Sequence, residues 1–216
     1  MIKNELVKRS LSSIILIPII FFIIVDGLFL FNFFIFFCFM ITAYEWIKMS
    51  KTNIQKIFGI IFLTISFYTI FKIRSEFNKD YFHILFILIT CISTDIGGYT
   101  FGKIFKGPKL TKLSPNKTYS GVIGSFLFAI IIVYLVFEVT IDIYKFDFTK
   151  EVFIFVLTIS LVSQIGDILI SYFKRLSKIK DTGKIIPGHG GLLDRIDGMI
   201  FAYPFSYLVF IYWNFQ

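Results

Sequence analysis

The apolar residues of this 216-residue chain fall in long unbroken runs, and about 20 such residues are what an α-helix needs to cross the hydrocarbon core of a bilayer. Neither a strand-like alternation nor a one-sided amphipathic pattern competes with them. The runs predict an all-α integral membrane protein, one polytopic domain over residues 1–216, with about seven transmembrane helices. These are expected near 12–25, 27–46, 55–73, 82–104, 119–139, 151–173 and 197–214. Only Asp26-Gly27 separates the first two; if it is not a turn, the count is six. Lys3, Lys8 and Arg9 precede the first run as in a secretory signal, but no small-residue cleavage site follows, so an uncleaved span is expected.

Charge supplies the orientation. Of 22 basic residues, 17 fall at the N-terminus and in the 47–56, 103–118 and 174–196 connections. Cytoplasmic connections are enriched in Lys and Arg, so the N-terminus and the two largest polar loops are expected in the cytosol. The net charge of +8 sits in these loops, where it can attract lipid headgroups, nucleotide phosphates or both. Cys38 and Cys91 lie within apolar runs, with no further Cys or His at ligand spacing, and are expected to be packing residues.

A carboxylate inside a span is costly and marks a functional site or a wet cavity. Asp95 and Asp167 stand out. At about 1.5 Å of rise per residue, Asp95 lies roughly 12 Å below the cytosolic end of its helix at Lys103 and Asp167 roughly 10 Å below Lys174, so the two can share one depth. Ser160, Ser163, Asp167, Ser171 and Lys174 recur at steps of three or four, a polar stripe down one helical face. Cys91, Asp95, Gly98, Tyr99 and Gly102 form a comparable face, with glycines that permit close helix approach. Each face could equally be an interhelical hydrogen-bonding seam.

The Asp167 stripe leads into a loop with Ser171, Lys174-Arg175, Lys180-Asp181, Pro187-Gly188-His189-Gly190-Gly191 and Asp194-Arg195-Ile196-Asp197. Backbone N–H groups of the Gly-Gly turn can form an anion-binding concavity, and a helix beginning near Asp197 would add its positive end. Lys174, Arg175, Lys180 and Arg195 can neutralise a triphosphate. Asp167, Asp194 and Asp197 are hard oxygen ligands of the kind magnesium takes alongside water and substrate phosphates. Asp194 and Asp197 could instead cap the last helix, and His189 could contact phosphate, handle a proton or stabilise the turn.

The string from Ser171 to Asp197 resembles the pattern of the phosphatidate cytidylyltransferases: S-x-F-K-R, K-D-x-G, P-G-H-G-G and D-R-I-D at matching spacings. Asp95-x-x-Gly98-Tyr99, Gly102-Lys103 and Ser114-Pro115-Asn116-Lys117-Thr118 are similar to that family's earlier segments. Two positions depart: Ser120 and Ile170 stand where the family commonly has Glu. The resemblance implies transfer of cytidylate from CTP to phosphatidic acid, giving CDP-diacylglycerol and pyrophosphate. It implies catalytic roles for Lys174, Arg175, Lys180, Asp181, His189 and Arg195, and substrate contacts from Ser114, Lys117, Thr118, Ser171, Gly190, Gly191, Asp95 and Tyr99. It also implies Mg2+ on Asp167, Asp194 and Asp197, with a second, monovalent or divalent, cation as an option. A homodimer in a bacterial cytoplasmic membrane and no nucleic-acid partner are further expectations. A related CTP-using enzyme, acting on an ether lipid or a polyprenol, shares the same phosphate logic. A transporter using Asp95 and Asp167, or a silent scaffold, are the readings outside that class.

Overall fold

A computed structural model describes residues 18–25, 28–76, 81–111, 114, 117–144, 148–185 and 190–213. A helical stretch at 18–25 precedes α1 (Leu28–Met49), α2 (Asn53–Glu76), α3 (Phe82–Phe105), α4 (Tyr119–Tyr144), α5 (Lys150–Leu176), the single turn α6 (Leu193–Ile196) and α7 (Met199–Trp213). Among the described residues there is no strand, only one antiparallel bridge between Lys109 and Thr118.

Among the described residues five helices, α1 to α5, are long and apolar enough to cross a membrane, and a shorter apolar helix spans Met199–Tyr212. The described residues bear out an all-helical chain with apolar helices long enough to cross a membrane, and do not confirm the count of seven. Of the first expected span only 18–25 is described, and Asp26-Gly27 lies outside the described residues. The last expected span, 197–214, starts two residues later than expected, because residues 197–198 form a turn after the short helix Leu193–Ile196 and α7 begins at Met199. Its 15 residues rise about 22 Å, less than the roughly 30 Å of a bilayer core.

Side chains sort as they would with lipid outside. Phe31, Leu63, Ile87, Phe155, Ile159 and Phe210 fill the interior, whereas Phe29, Phe58, Ile104 and Tyr212 point outward. Such a wide apolar exterior would drive association in water. The interior is also where the polar side chains go: Thr94, Ser160, Ser163 and Ser66 are buried. Thr94 donates to Ser160 Oγ at 2.9 Å, and Ser66 to the carbonyl of Ile200 at 2.7 Å.

Three contacts place the functional region. The α3–α4 pair is the most extensive helix contact, because glycines let the backbones meet: a Cβ on Gly97 would lie 2.5 Å from the Gly124 carbonyl oxygen. Helix α5 packs against α3, α4 and α7, so its polar stripe faces all three. Helix α1 also touches α6. Between α1 and α2, Thr52 and Gln55 bond reciprocally in a capping box.

Candidate functional site

Helices α3, α4 and α5 and the segment before α4 enclose a cavity of about 270 Å³, lined by Asp95, Gly98, Tyr99, Ser114, Lys117, Thr118, Gly121, Val122, Ser125, Gln164 and Asp167. Asp95 and Asp167, the two carboxylates within apolar runs, therefore line one cavity. The α5 stripe turns inward: Ser160, Ser163, Ser171 and Lys174 are buried, and Asp167 is half-buried at the cavity wall.

Lys117 reaches into this space. Its Nζ lies 2.5 Å from Asp167 Oδ2 and donates to the Gln164 carbonyl at 3.4 Å, while the Ser171 hydroxyl approaches Asp167 Oδ1 at 3.4 Å. Thr118 caps α4, its Oγ1 accepting the Gly121 N–H at 3.1 Å. These contacts anchor the Ser114–Thr118 segment at the cavity mouth; Pro115 and Asn116 lie outside the described residues.

The two departures from the family pattern are explained by position. Ser120 bonds to the carbonyl of Lys106 and lies 3.0 Å from Thr118 Oγ1, so it tightens the loop and brings no charge. Ile170 is 1% exposed and belongs to the apolar core.

The turn between α6 and α7 brings Asp197 against Asp167. Asp197 is buried, its side chain is within hydrogen-bonding reach of the Asp167 carboxylate, and its Oδ1 accepts the Gly198 N–H at 2.9 Å. Close approach is possible because Gly166 faces this turn: a Cβ there would stand 3.1 Å from the Asp197 carbonyl oxygen.

Asp194 does not join that pair. Its Oδ1 accepts from Lys174 Nζ at 2.9 Å, and its Oδ2 from Thr182 N–H at 2.8 Å, Thr182 Oγ1 at 3.1 Å and Gly191 N–H at 3.1 Å. Burial alone would push this carboxyl up, but the Lys174 ammonium and the Thr182 and Gly191 amides outweigh it and hold it below the usual carboxylate range. Among the described residues no three acidic, His or Cys side chains group to enclose an ion. Of the three expected aspartates, Asp167 and Asp197 stand together, and Asp194 is paired with Lys174, which a cation at Asp194 would have to displace.

The loop amides differ from expectation in the same way. Gly190 adopts φ +93°, as a tight turn requires, but the Gly191 N–H is taken by the chain's own Asp194. Lys174 is likewise engaged within the loop. Arg175 bonds to the Ile179 carbonyl at 3.2 Å, and Arg175, Lys180, Asp181 and Arg195 are exposed. His189 lies outside the described residues.

One central residue was absent from the sequence reading. Glu45, on α1, is 1% exposed. Its Oε1 accepts the Leu192 N–H at 3.0 Å, and its Oε2 accepts the Leu193 N–H at 2.8 Å and the Thr182 hydroxyl at 3.0 Å. The available signal was a lone carboxylate inside the apolar run 27–46. Its nearness to Lys48 and Lys51 makes it look like a residue at headgroup level.

Comparison with known proteins decides the family. The cytidylyltransferase family model matches residues 7–77 and 57–213, and so covers Glu45 as well as both halves of the cavity. The chain belongs to the cytidylyltransferase family. It is 35% identical over 217 residues to a phosphatidate cytidylyltransferase of Rickettsia conorii, covering 97% of this chain and 93% of the relative. A protein of the same name from Rickettsia bellii is 34% identical, covering 96% and 91%. One from Staphylococcus aureus is 38% identical over 157 residues, covering 71% of this chain and 57% of the relative.

Proposed function

We propose that this protein is a phosphatidate cytidylyltransferase, joining the phosphate of phosphatidic acid to the cytidylyl group of CTP. The observation that carries this reading is the cavity itself, where Lys117, Asp95 and Asp167 converge within a helix bundle whose exterior is apolar. Such a site suits one substrate that stays in the leaflet and one that arrives from water.

The reaction needs no activated nucleophile. A phosphate oxygen of phosphatidic acid attacks the α-phosphorus of CTP, and the bond to the pyrophosphate oxygen breaks. Phosphate is already anionic at neutral pH, so the protein's work is to bring two anions together, align them and stabilise the leaving group. Lys117 is placed to pass its charge from Asp167 to a phosphate. Ser114, Thr118 and Tyr99 line the same cavity and are the nearest polar contacts for nucleotide or lipid phosphate. The exposed Arg175, Lys180 and Arg195 draw CTP to the rim.

The residues present fit a divalent cation. Asp197 is buried against Asp167, two hard oxygen donors of like charge whose proximity a cation would relieve. Asp167 and Asp197 would hold Mg2+, and the ion would supply charge neutralisation for the phosphates. The N-terminus and the 174–196 loop are taken as cytosolic in a bacterial cytoplasmic membrane, with the chain acting as a homodimer.

The test is to incubate the purified protein in liposomes with radiolabelled CTP, Mg2+ and phosphatidic acid. A labelled lipid with one pyrophosphate per transfer is expected. Label that enters only an added ether lipid or polyprenol would replace phosphatidic acid as the acceptor, and solute flux without pyrophosphate would overturn the enzymatic reading.

A further inference from the structure

The deeply buried carboxylate of Glu45 is not part of the cavity lining, and the hydrogen bonds it accepts come from outside its own helix. Isolated in an apolar interior it would be very costly, and three hydrogen bonds from one loop are what make it tenable. Those bonds come from Thr182 and from the successive amides of Leu192 and Leu193. The loop also approaches so closely that two of its residues have no room for a side chain. A Cβ on Gly183 would lie 2.5 Å from Glu45 Oε1, and one on Gly191 would lie 2.7 Å from Oε2.

The Thr182 hydroxyl connects Glu45 to the rest of the loop. It lies 3.0 Å from Glu45 Oε2 and 3.1 Å from Asp194 Oδ2. A hydroxyl has one proton, so it serves one carboxylate at a time, and Lys174 pairs with Asp194, neutralising one of the two carboxylates. Helix α1, the loop and α5 are thereby tied at one node. Asp197 follows Asp194 by three residues, so the node fixes where the α6–α7 turn delivers Asp197 against Asp167.

We infer that Glu45 is a positioning residue of the cation site: through Thr182, Leu192 and Leu193 it holds the α6–α7 turn so that Asp197 meets Asp167. The inference rests on the reading of Asp167 and Asp197 as the pair that holds the cation. Glu45 contacts no substrate; its effect passes through the loop backbone.

The experiment measures Mn2+ binding by electron paramagnetic resonance on the purified full chain in detergent, for wild type, Glu45→Gln and Thr182→Val. Gln keeps the shape but replaces one acceptor oxygen with a donor facing donors; Val removes the hydroxyl. Outer partners of metal ligands typically alter affinity by about 10- to 100-fold. Glu45→Gln is expected to weaken Mn2+ binding within that range. It should lower kcat for cytidylyl transfer at subsaturating Mg2+, with partial recovery at high Mg2+ and an unchanged KM for phosphatidic acid. Thr182→Val should act in the same direction, more weakly, and decides the matter if Glu45→Gln does not fold. Wild-type Mn2+ affinity in a folded variant would overturn the positioning role, as would a lower melting temperature with normal affinity. Absence of Mn2+ binding in wild type would overturn the cation-site reading instead. Loss of amide-exchange protection at Leu192 and Leu193 in Glu45→Gln would then still report the clamp alone.

Discussion

Replacing Asp194 with Asn tests whether this residue organises the loop or serves the cation. The Lys174 and Asp194 side chains are only 11% and 5% exposed, so solvent screens the pair little. Asp194→Asn leaves a buried ammonium without its counter-ion and turns an amide NH2 towards one or more existing donors. Removing one partner of a buried pair typically costs about 3–5 kcal/mol, and that is the expected destabilisation. The double variant Asp194→Asn/Lys174→Met should recover part of it, because the stranded charge is gone; coupling of about 0.5–3 kcal/mol is usual for such neighbours. Unfolding in detergent can be followed by fluorescence of Trp46, which is 5% exposed and packs edge-on to Phe173 of α5 at 5.1 Å. The sign of the pH dependence follows from the depressed Asp194 carboxyl. Its contribution is complete above the unfolded-state value of about 4 and is lost as pH falls through the lower folded value. The deficit of Asp194→Asn should therefore be constant from about pH 5 to 7 and shrink below about pH 4. A variant within about 0.5 kcal/mol of wild type, or a double variant as unstable as the two single changes summed, would refute the reasoning.

Two further substitutions probe the cavity and its surroundings. Lys117→Met frees Asp167 from its ammonium. Mn2+ affinity is expected to rise a few-fold, as for a partly exposed pair, while KM for CTP rises about 10-fold or more through loss of a charged phosphate contact. Titration of Mn2+ and of CTP checks the two opposite shifts, and no change in either would contradict the placement of Lys117. Ile170→Glu restores the residue type common in the family at a site that is 1% exposed. It should cost several kcal/mol for an unpaired buried carboxyl and fail to raise turnover; a stable variant with enhanced activity would contradict the core position of Ile170.

Much of the site was legible because charge inside an apolar run is hard to overlook. Asp95 and Asp167 announced the cavity, and the steps of three and four from Ser160 to Lys174 showed which face of α5 would turn inward. The spacing from Asp194 to Asp197 could not reveal that these two carboxylates part company. That depends on Thr182 and Lys174 arriving from elsewhere in the chain. The amides near Gly191 were likewise readable as an anion-binding turn, but the anions that fill it are Asp194 and Glu45, and the second comes from a helix about 150 residues earlier, a separation no local pattern reports. The last helix was expected to start at 197 and starts at Met199, because the turn at 197–198 leads directly into the apolar run and hydropathy does not register a change of direction.

Asp167 stands at the meeting point of Lys117, Ser171 and Asp197, so cytidylyl transfer by Asp167→Asn is the most direct test of the whole. In liposomes with CTP, Mg2+ and phosphatidic acid, wild type should release pyrophosphate and form labelled lipid. Asp167→Asn, inserted and folded, should do neither within the detection limit; turnover near the wild-type rate would contradict the assignment of this cavity as the site of reaction.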